Sequence, residues 1–238
     1  MSVANVLRPT FNLALRPRLF ATGTFAAYRV SFGFNQTGGV RSAQLPERLL
    51  IQDVSFSVQP GSAVLLHGPN GSGKTTLMRL AAGELIPTSG IFTWRGQPFT
   101  HAADLSKWAH QHMVEMPALN DGMSNLLTVR IMMRIFSLRR GFGGKEIDEA
   151  LHMFKIYHLR NRRIGTLSTG QRRLVAFANM WASQRLIWLL DEPNIALDLR
   201  SQAGIEEAIR MHRDRGGIVI VASHANIVLE DAVSIRIR

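Results

Sequence analysis

A glycine-rich segment in the first third of the sequence has the residue types and the spacing that bind phosphate. Its eight residues fit the pattern Gly-x-x-x-x-Gly-Lys-Thr: Gly68, Pro69, Asn70, Gly71, Ser72, Gly73, Lys74 and Thr75. Glycines allow successive backbone N–H groups to point inward at phosphate oxygens, and a helix that follows adds favourable partial charge. We expect Lys74 to reach the β- and γ-phosphates, the Thr75 hydroxyl to bind Mg²⁺, and Thr76 to join the phosphate contacts. The spacing therefore predicts an ATP site that uses Mg²⁺.

Two acidic residues follow an apolar run late in the chain. Asp191 and Glu192 come directly after residues 186–190, which are all apolar. Asp191 at the carboxyl end of a strand is placed to bind Mg²⁺, and Glu192 is placed to polarise a water for attack on the γ-phosphate. Paired acids after a strand are also common as helix N-caps. Their occurrence together with the phosphate-binding pattern favours the catalytic role.

A third motif gives a resemblance to a known family. The residues Leu167-Ser168-Thr169-Gly170-Gln171 resemble the LSGGQ signature of the ATP-binding cassette (ABC) superfamily and lie 20 residues before Asp191, which is the family's spacing. An ordinary helix N-cap would also explain a serine here. The resemblance implies that Ser168, Gly170 and Gln171 contact nucleotide. Thr169 replaces the second glycine of the common form, and its added side chain is expected to slow turnover.

The resemblance assigns roles to further residues. His224 follows the apolar run 218–222, where the family has its switch histidine, and it joins Lys74 and Glu192 as a catalytic residue. Asp198 matches the family's D-loop, in which Ile195 stands where serine is usual. In this family ATP lies between the phosphate loop of one subunit and the signature of another. The chain is therefore expected to act with a second copy of itself.

Two positions of the family pattern are not matched cleanly. The glutamine expected between the phosphate loop and the helical insertion is missing: Gln111 comes too early, and alignment through Pro117 places Glu115 or Met116 there. An aromatic residue that stacks on adenine is expected near the first strand. Three candidates remain open for it: Tyr28, Phe32 and Phe34.

The elements that must position these residues alternate between strands and helices. Apolar and β-branched runs predict strands at 25–34, 49–58, 63–66, 186–190 and 218–222, and helices are expected at 74–82 and 200–212. Buried strands followed by helices indicate an α/β domain with parallel strands. The family resemblance specifies an ABC-type P-loop NTPase with a RecA-like mixed-sheet core, an antiparallel β subdomain and an inserted α-helical subdomain.

The helical subdomain is expected at about residues 104–164, without a strand. Two sets of apolar residues recur there at helical spacing: Leu126, Ile131 and Ile135, and then Ile147, Leu151 and Phe154. Methionines are also frequent near its start, and they form either a groove for a membrane partner or part of the core. They are Met113, Met116, Met123, Met132 and Met133.

The charge of the chain is unevenly distributed. There are 28 Lys+Arg against 17 Asp+Glu, which gives a net charge of +11, and residues 1–46 hold five arginines, no lysine and no acid. Such basicity fits nucleic-acid binding, an anionic membrane surface or a targeting segment. Residues 1–23 are rich in arginine and hydroxyl groups and free of acids, which favours a mitochondrial targeting extension over an unspecialised basic terminus. Residues 24–238 then form the folded domain, and no nucleic-acid partner is needed.

Two absences in the sequence exclude other classes. No run reaches about 18 consecutive apolar residues, so a transmembrane helix is not expected. There is no cysteine, which excludes disulfides, thiolate metal sites and a cysteine nucleophile. In the ABC family, ATP hydrolysis drives a mechanical movement of the subunits. Since no transmembrane helix is expected here, that movement must act on another protein.

Within the superfamily the sequence resembles the ATP-binding subunits of cytochrome c maturation, the CcmA type. Four segments carry this resemblance: 188–193, 170–173, 96–98 after Trp94, and 216–220. It implies membrane partners of the CcmB, CcmC and CcmD types, an indirect partner in the haem chaperone CcmE, and ATP hydrolysis that drives haem handling and release of the loaded chaperone. The expected location is the matrix face of the mitochondrial inner membrane or, alternatively, the cytoplasmic face of a bacterial membrane. The alternatives are the ATPase subunit of another ABC exporter and a soluble ABC ATPase such as an iron–sulfur assembly scaffold.

Overall fold

The computed structural model describes residues 23–33, 49–116, 124–223, 229 and 231–237. Its strands are β1 (Phe25–Phe32), β2 (Ile51–Val58), β3 (Ala63–His67), β4 (Ser89–Trp94), β5 (Gln97–Pro98), β6 (Met113–Glu115), β7 (Ile187–Asp191), β8 (Ile218–Ala222) and β9 (Val233–Arg236). Its α-helices are α1 (Lys74–Ala81), α2 (Ala102–His112), α3 (Val129–Arg140), α4 (Gly144–Met153), α5 (Thr169–Ser183) and α6 (Leu199–Asp214). Several residues of interest lie outside the described part: the proposed extension up to residue 22, Phe34, Pro117, Met123 and His224.

A parallel sheet forms the centre of the molecule. Its strands run in the order β6-β7-β8-β3-β9, and each described pairing in it is parallel. Every residue of β8 is buried, as expected of a parallel strand covered on both faces. Side chains of β7 alternate between two cores: Ile187 and Leu189 pack on one side of the sheet, Trp188 and Leu190 on the other.

An antiparallel sheet covers one of these sides. Its order is β2-β1-β4-β5, and Phe25 of β1 pairs with Val58 of β2 and Trp94 of β4. Phe25 also stacks on Trp108 of α2, with ring centroids 5.7 Å apart, so that aromatic packing joins this sheet to the helix. Together with the parallel sheet, this arrangement confirms the predicted α/β architecture with an antiparallel β subdomain.

Helices α3, α4 and α5 pack on the other side of the parallel sheet. Buried residues of these helices, including Met133, Leu151 and Phe177, belong to one core with Trp188. The expectation of no strand within 104–164 is wrong at β6, which pairs in parallel with β7. A strand of three residues is too short to show a hydrophobic period, so the sequence did not reveal it. The start of the range therefore belongs to the central sheet.

The apolar stripe of α3 faces outward. The sequence predicted this helix from Ile131 and Ile135, yet their exposed fractions are 48% and 44%, and that of Leu138 is 86%. The buried positions are instead taken partly by methionines. The four described methionines of the Met-rich stretch are all buried: Met113, Met116, Met132 and Met133. These four are therefore core residues, and they do not line an open groove.

None of the helices within the described ranges is long and apolar enough to cross a membrane.

Candidate nucleotide-binding and hydrolysis site

The phosphate loop and the two acidic residues predicted for the site converge at the carboxyl edge of the parallel sheet. The phosphate loop follows β3, Asp191 ends β7, Ser223 follows β8 and Glu115 ends β6. Ligand sites of open α/β sheets lie at this edge. A cavity of about 320 Å³ opens here, and it is lined by Leu50, Asn70, Gly71, Gly73, Lys74, Thr75, Thr76, Asp191 and Glu192.

Gly73 and Lys74 form the junction between the phosphate loop and α1. Gly73 caps the helix with φ 100°, a left-handed backbone that other residues rarely adopt, and a Cβ there would lie 3.1 Å from Ile51 Cγ1. The Lys74 ammonium is buried and donates to the carbonyl oxygens of Gly68 (2.9 Å) and Pro69 (3.0 Å). The cation is thus held over the loop, next to the N–H groups at the start of α1.

Thr75 and Asp191 present oxygen atoms to the same point of the cavity. Thr75 Oγ1 donates a 2.6 Å hydrogen bond to Asp191 Oδ2. A hydroxyl and a carboxylate are oxygen ligands that suit Mg²⁺, which usually takes one or two protein ligands and completes its shell with phosphate and water. No group of three His, Cys, Asp or Glu side chains suited to a metal occurs within the described ranges. The residues present therefore fit an Mg²⁺ ion that arrives with a nucleotide.

Glu192 is held in an unusual backbone conformation. Its φ is 47°, in the left-handed region, and its N–H donates to the Ala222 carbonyl at 2.8 Å. Its carboxylate Oε2 accepts from the Ser223 hydroxyl at 3.3 Å. This turn directs the carboxylate toward the cavity that Glu192 helps to line. The cavity thus has a carboxylate that faces the same space as the phosphate loop.

The signature motif forms the start of α5. Ser168 Oγ accepts from the Gln171 N–H at 3.2 Å, and the Gln171 side chain accepts from the Ser168 N–H at 3.1 Å, which makes a capping box. Ser168, Gly170 and Gln171 are absent from the described lining of the cavity. The chain therefore brings together the phosphate loop with Asp191 and Glu192, but it does not bring the signature to the same cavity.

The signature contacts the D-loop of its own chain. A Cβ on Gly170 would lie 2.8 Å from the Ala196 carbonyl oxygen, so only glycine fits there without a shift. Asp198 caps α6 by accepting from the Ser201 N–H at 2.8 Å. Hydrogen bonds from the Ser201 side chain and, second, from this N–H lower the pKa of the Asp198 carboxyl group. Ile195, three residues before Asp198, is half-exposed. Asp198 thus has a structural role at this helix start.

The family of the chain follows from comparison with known proteins. The sequence model of the family described as "ABC transporter" matches residues 51–194. The chain belongs to the ABC transporter family. It is an ABC ATPase subunit that resembles the "Cytochrome c biogenesis ATP-binding export protein CcmA" of Rhodospirillum rubrum, with 38% identity over 78% of each chain. "ABC transporter I family member 1" of Arabidopsis thaliana is 36% identical over 83% of this chain and 90% of the relative.

Solved structures agree with the fold of this ABC ATPase. An ABC transporter ATP-binding protein from Pyrococcus furiosus superposes with a TM-score of 0.73 at 23% identity, over 90% of this chain and 97% of that one. This likeness confirms the predicted fold class. The predicted ATPase is confirmed by the family match and by the CcmA relative.

Glu84 and Glu115 form an acidic pair at the edge of this site, and the sequence did not predict that they pair. Glu115, at the end of β6, is hydrogen-bonded to the side chain of Glu84, which pairs with Arg79 at 3.1 Å. Burial, followed by the charges of Glu84 and Asp191, raises the pKa of Glu115 to about 7. Gln111 lies in α2, away from this strand end, and its carbonyl accepts a short hydrogen bond from Arg185. The structure thus has a carboxyl group at the end of β6, and Glu115 is one of the two residues expected in place of the missing glutamine.

Arg173 is a second functional candidate that the sequence analysis missed. It lies among apolar residues of α5 and is only 4% exposed, although it carries a charge. Burial lowers the pKa of its guanidinium, against the opposing effect of Asp191 and Glu192. A usable signal was present, since an arginine at a buried helix position normally has a specific partner.

Packing distinguishes between the described candidates for the adenine-stacking residue. Phe32 is buried in the core and its carbonyl accepts from the Leu50 N–H at 2.8 Å, so the end of β1 that approaches the cavity is the Phe32 end. Tyr28 lies four residues earlier in β1 and is half-exposed. Leu50 is the apolar residue that lines the described cavity.

Proposed function

We propose that the chain is the ATP-hydrolysing subunit of a membrane ABC complex that serves cytochrome c maturation. The observation that carries the proposal is the phosphate loop joined to Asp191 and Glu192 in one cavity, in a chain similar to a protein named for cytochrome c biogenesis and export. In that complex the ATPase drives haem handling and release of the haem-loaded chaperone CcmE. Its membrane partners are of the CcmB, CcmC and CcmD types.

Hydrolysis follows from the placement of four side chains. Lys74 and the loop N–H groups hold the phosphates in line, so that a water next to Glu192 faces the γ-phosphorus. The Glu192 carboxylate takes a proton from this water as its oxygen bonds to phosphorus. The bond to the β–γ bridging oxygen breaks, and ADP and phosphate leave. When bound by Thr75 and Asp191, Mg²⁺ neutralises charge that develops on the phosphate oxygens.

A second copy of the chain completes each site. Because Ser168 and Gly170 lie outside the cavity that their own chain forms, they are available to the γ-phosphate held by a partner copy. Two copies then enclose two nucleotides, and closing and reopening of the pair supply the stroke. His224 is proposed to contact the γ-phosphate from the segment after β8.

Substitution of the proposed base tests the chemistry. Glu192→Gln is expected to keep ATP affinity, to lose at least about 100-fold in turnover and to trap a dimer in ATP, since the amide cannot take the proton. Glu207→Gln is the matched control, because Glu207 is a partly exposed glutamate of α6 paired with Arg210. Normal turnover by Glu192→Gln, measured as phosphate release, contradicts the assignment.

The outward stripe of α3 is the proposed contact with the membrane subunit. Ile131, Ile135 and Leu138 recur at intervals of four and three residues and form one exposed face. The helix holds four arginines and no acid, so the segment that covers it is expected to be apolar with acidic residues beside it. Such a face on a chain without a membrane-crossing helix in its described part suits a cytosolic or matrix loop of a membrane subunit.

Affinity purification from native membranes tests both the contact and the pathway. Ile135→Asp is expected to abolish co-purification of membrane subunits, whereas Ile86→Asp, at another exposed isoleucine that lies outside α3, leaves it intact. Haem-handling subunits of the CcmB and CcmC types support the proposal. Membrane subunits of another exporter, or soluble iron–sulfur assembly proteins alone, contradict it.

The basic N-terminal segment is proposed to be a mitochondrial targeting signal. Residues 1–23 carry arginines and no acids, a composition suited to mitochondrial import, and the subunit then lies on the matrix face of the inner membrane. Deletion of these residues is expected to abolish import into isolated mitochondria and to leave ATPase activity unchanged. Import that persists after deletion contradicts the proposal and favours the bacterial alternative, a peripheral protein on the cytoplasmic face.

A further inference from the structure

Arg173 ties the helix that starts at the signature to the segment that carries the catalytic carboxylate. Its Nη2 donates to the carbonyl oxygen of Asp191 at 2.9 Å and, in a shorter hydrogen bond, to that of Glu192. Its Nε donates to the Pro193 carbonyl at 3.4 Å. Three consecutive carbonyl groups thus point at one guanidinium.

This contact fixes the backbone of Glu192 from both sides. Its N–H is bound by the Ala222 carbonyl and its C=O by Arg173, while φ is held at 47°. A non-glycine residue in the left-handed region persists only where its surroundings impose that conformation. A fork of several N–H donors in fixed geometry can satisfy neighbouring carbonyls together, which a lysine ammonium on a flexible stem cannot do in the same way.

The position of Arg173 on α5 links the signature to the Glu192 backbone. Arg173 lies five residues after Ser168, so about 7.5 Å of helix separates the cap from the guanidinium-bearing residue. The capping box makes the first turn of α5 continuous with the signature. A displacement of the signature therefore reaches the Glu192 backbone through a single rigid helix and one side chain.

We propose that Arg173 is a positioning residue that couples the signature of each chain to the Glu192 of the same chain. This rests on the proposed function, in which the signature of one chain contacts the ATP held by the other copy. Nucleotide at one composite site then sets the geometry of the base at the other site. Arg173 touches neither nucleotide, and it acts through the Glu192 backbone.

Steady-state kinetics on the purified full chain test the proposal. Arg173→Lys is expected to lower kcat by about 10- to 100-fold, because a small misplacement of the base has a large effect on the rate. The affinity for ATP is expected to stay within about twofold, since the phosphate loop is untouched, and the Hill coefficient for ATP is expected to fall to about 1, since the two sites lose their link. Arg173→Gln, which keeps an N–H donor without a buried charge, is expected to behave in the same way and serves if Arg173→Lys does not fold.

Arg185→Lys is the matched control. Arg185 is another arginine with a pKa lowered by burial and a bond to a backbone carbonyl, that of Gln111, but it lies away from the site. Loss of stability in both lysine variants with loss of kcat in Arg173→Lys alone supports positioning. Wild-type kcat and Hill coefficient in a folded Arg173 variant overturn the proposal. Failure of the proposed function is seen separately, as normal turnover by Glu192→Gln.

Discussion

Thr75 Oγ1 and Asp191 Oδ2 are joined by a 2.6 Å hydrogen bond, although 116 residues separate them in the sequence. The bond links the first turn of α1 to the end of β7 across the strand β8, which lies between β3 and β7 in the sheet. The two oxygen atoms are thereby brought to one point before any ligand is considered. We propose that this pair of oxygen atoms holds the Mg²⁺ ion that arrives with ATP.

Loss of the Thr75 hydroxyl is predicted to lower the rate of ATP hydrolysis and to change its dependence on Mg²⁺. Thr75→Val keeps the shape of the side chain, removes the oxygen and leaves Asp191 without this donor, so turnover at saturating ATP is expected to fall by about 100-fold. Thr75→Ser keeps the oxygen and is expected to stay within about threefold of the wild type. Phosphate release titrated against Mg²⁺ measures both variants, and equal Mg²⁺ dependence in Thr75→Val and the wild type contradicts the prediction.

Motifs fixed by local backbone geometry were the most predictable part of the site. Gly73, Lys74 and Thr75 adopt the predicted loop-to-helix junction because their chemistry depends on neighbours in the sequence. Asp191 was placed by the apolar strand before it. Arg173 was missed because its partners, the carbonyls at 191–193, are set by tertiary packing. An arginine at a buried helix position signals that a partner exists, but not which one.

The spacing of apolar residues predicted α3, but it did not predict which side of the helix packs against the core. Ile131 and Ile135 mark a helix by their spacing, yet the face that packs inward contains Val129, Met132 and Met133. A helix with apolar residues on two sides gives no sequence signal for which side is covered within the chain. The exposed side is the one that an additional protein is proposed to cover.

Glu115 is predicted to make the protein less stable as the pH rises from about 4.5 to 7. The folded-state pKa of about 7 exceeds the ordinary value of 4.5, so the folded protein keeps a proton that the unfolded chain releases in this range. Glu115→Gln removes the buried charge that forms above this range near Glu84 and Asp191. We expect it to raise the free energy of unfolding by about 1–2 kcal/mol at pH 8 and by little at pH 4.5.

Denaturant unfolding at the two pH values, with a chelator present, checks this difference between Glu115→Gln and the wild type. Glu206→Gln on the exposed side of α6 is the control and is expected to change stability equally at both pH values. A Glu115→Gln variant less stable than the wild type at pH 8 is the opposite of the expected result.

His212 is predicted to act in the opposite direction, destabilising the protein in acid. Burial lowers its pKa from 6.5 to about 3, so between these values the unfolded chain binds a proton that the folded protein excludes. Its ring stacks on Trp188 at 4.1 Å, and its Nε2 is 3.1 Å from the Leu186 carbonyl oxygen. That carbonyl also accepts from the Ile218 N–H at 2.9 Å.

His212→Phe therefore keeps the stacked ring without leaving the Leu186 carbonyl unpaired. We expect its stability relative to the wild type to improve by about 1–3 kcal/mol between pH 7 and pH 4.5, measured by denaturant unfolding. His158→Phe, at an exposed histidine, is the control and is expected to show no such improvement. Parallel losses of stability in acid by His212→Phe and the wild type contradict the prediction.

Gly170→Ala is predicted to displace the D-loop. The new Cβ would lie 2.8 Å from the Ala196 carbonyl oxygen, closer than such contacts occur, and α5 is held by its capping box, so the D-loop backbone must move. We expect a loss of about 1–3 kcal/mol of stability from the overpacked contact and a lower kcat. Gly204→Ala, in the interior of α6 with nothing within 4 Å of the new Cβ, is the control. It is expected to gain up to about 1 kcal/mol from helix propensity. Thermal unfolding and phosphate release measure both variants, and a Gly170→Ala protein as stable as the wild type shows that the D-loop accommodates the methyl group without strain.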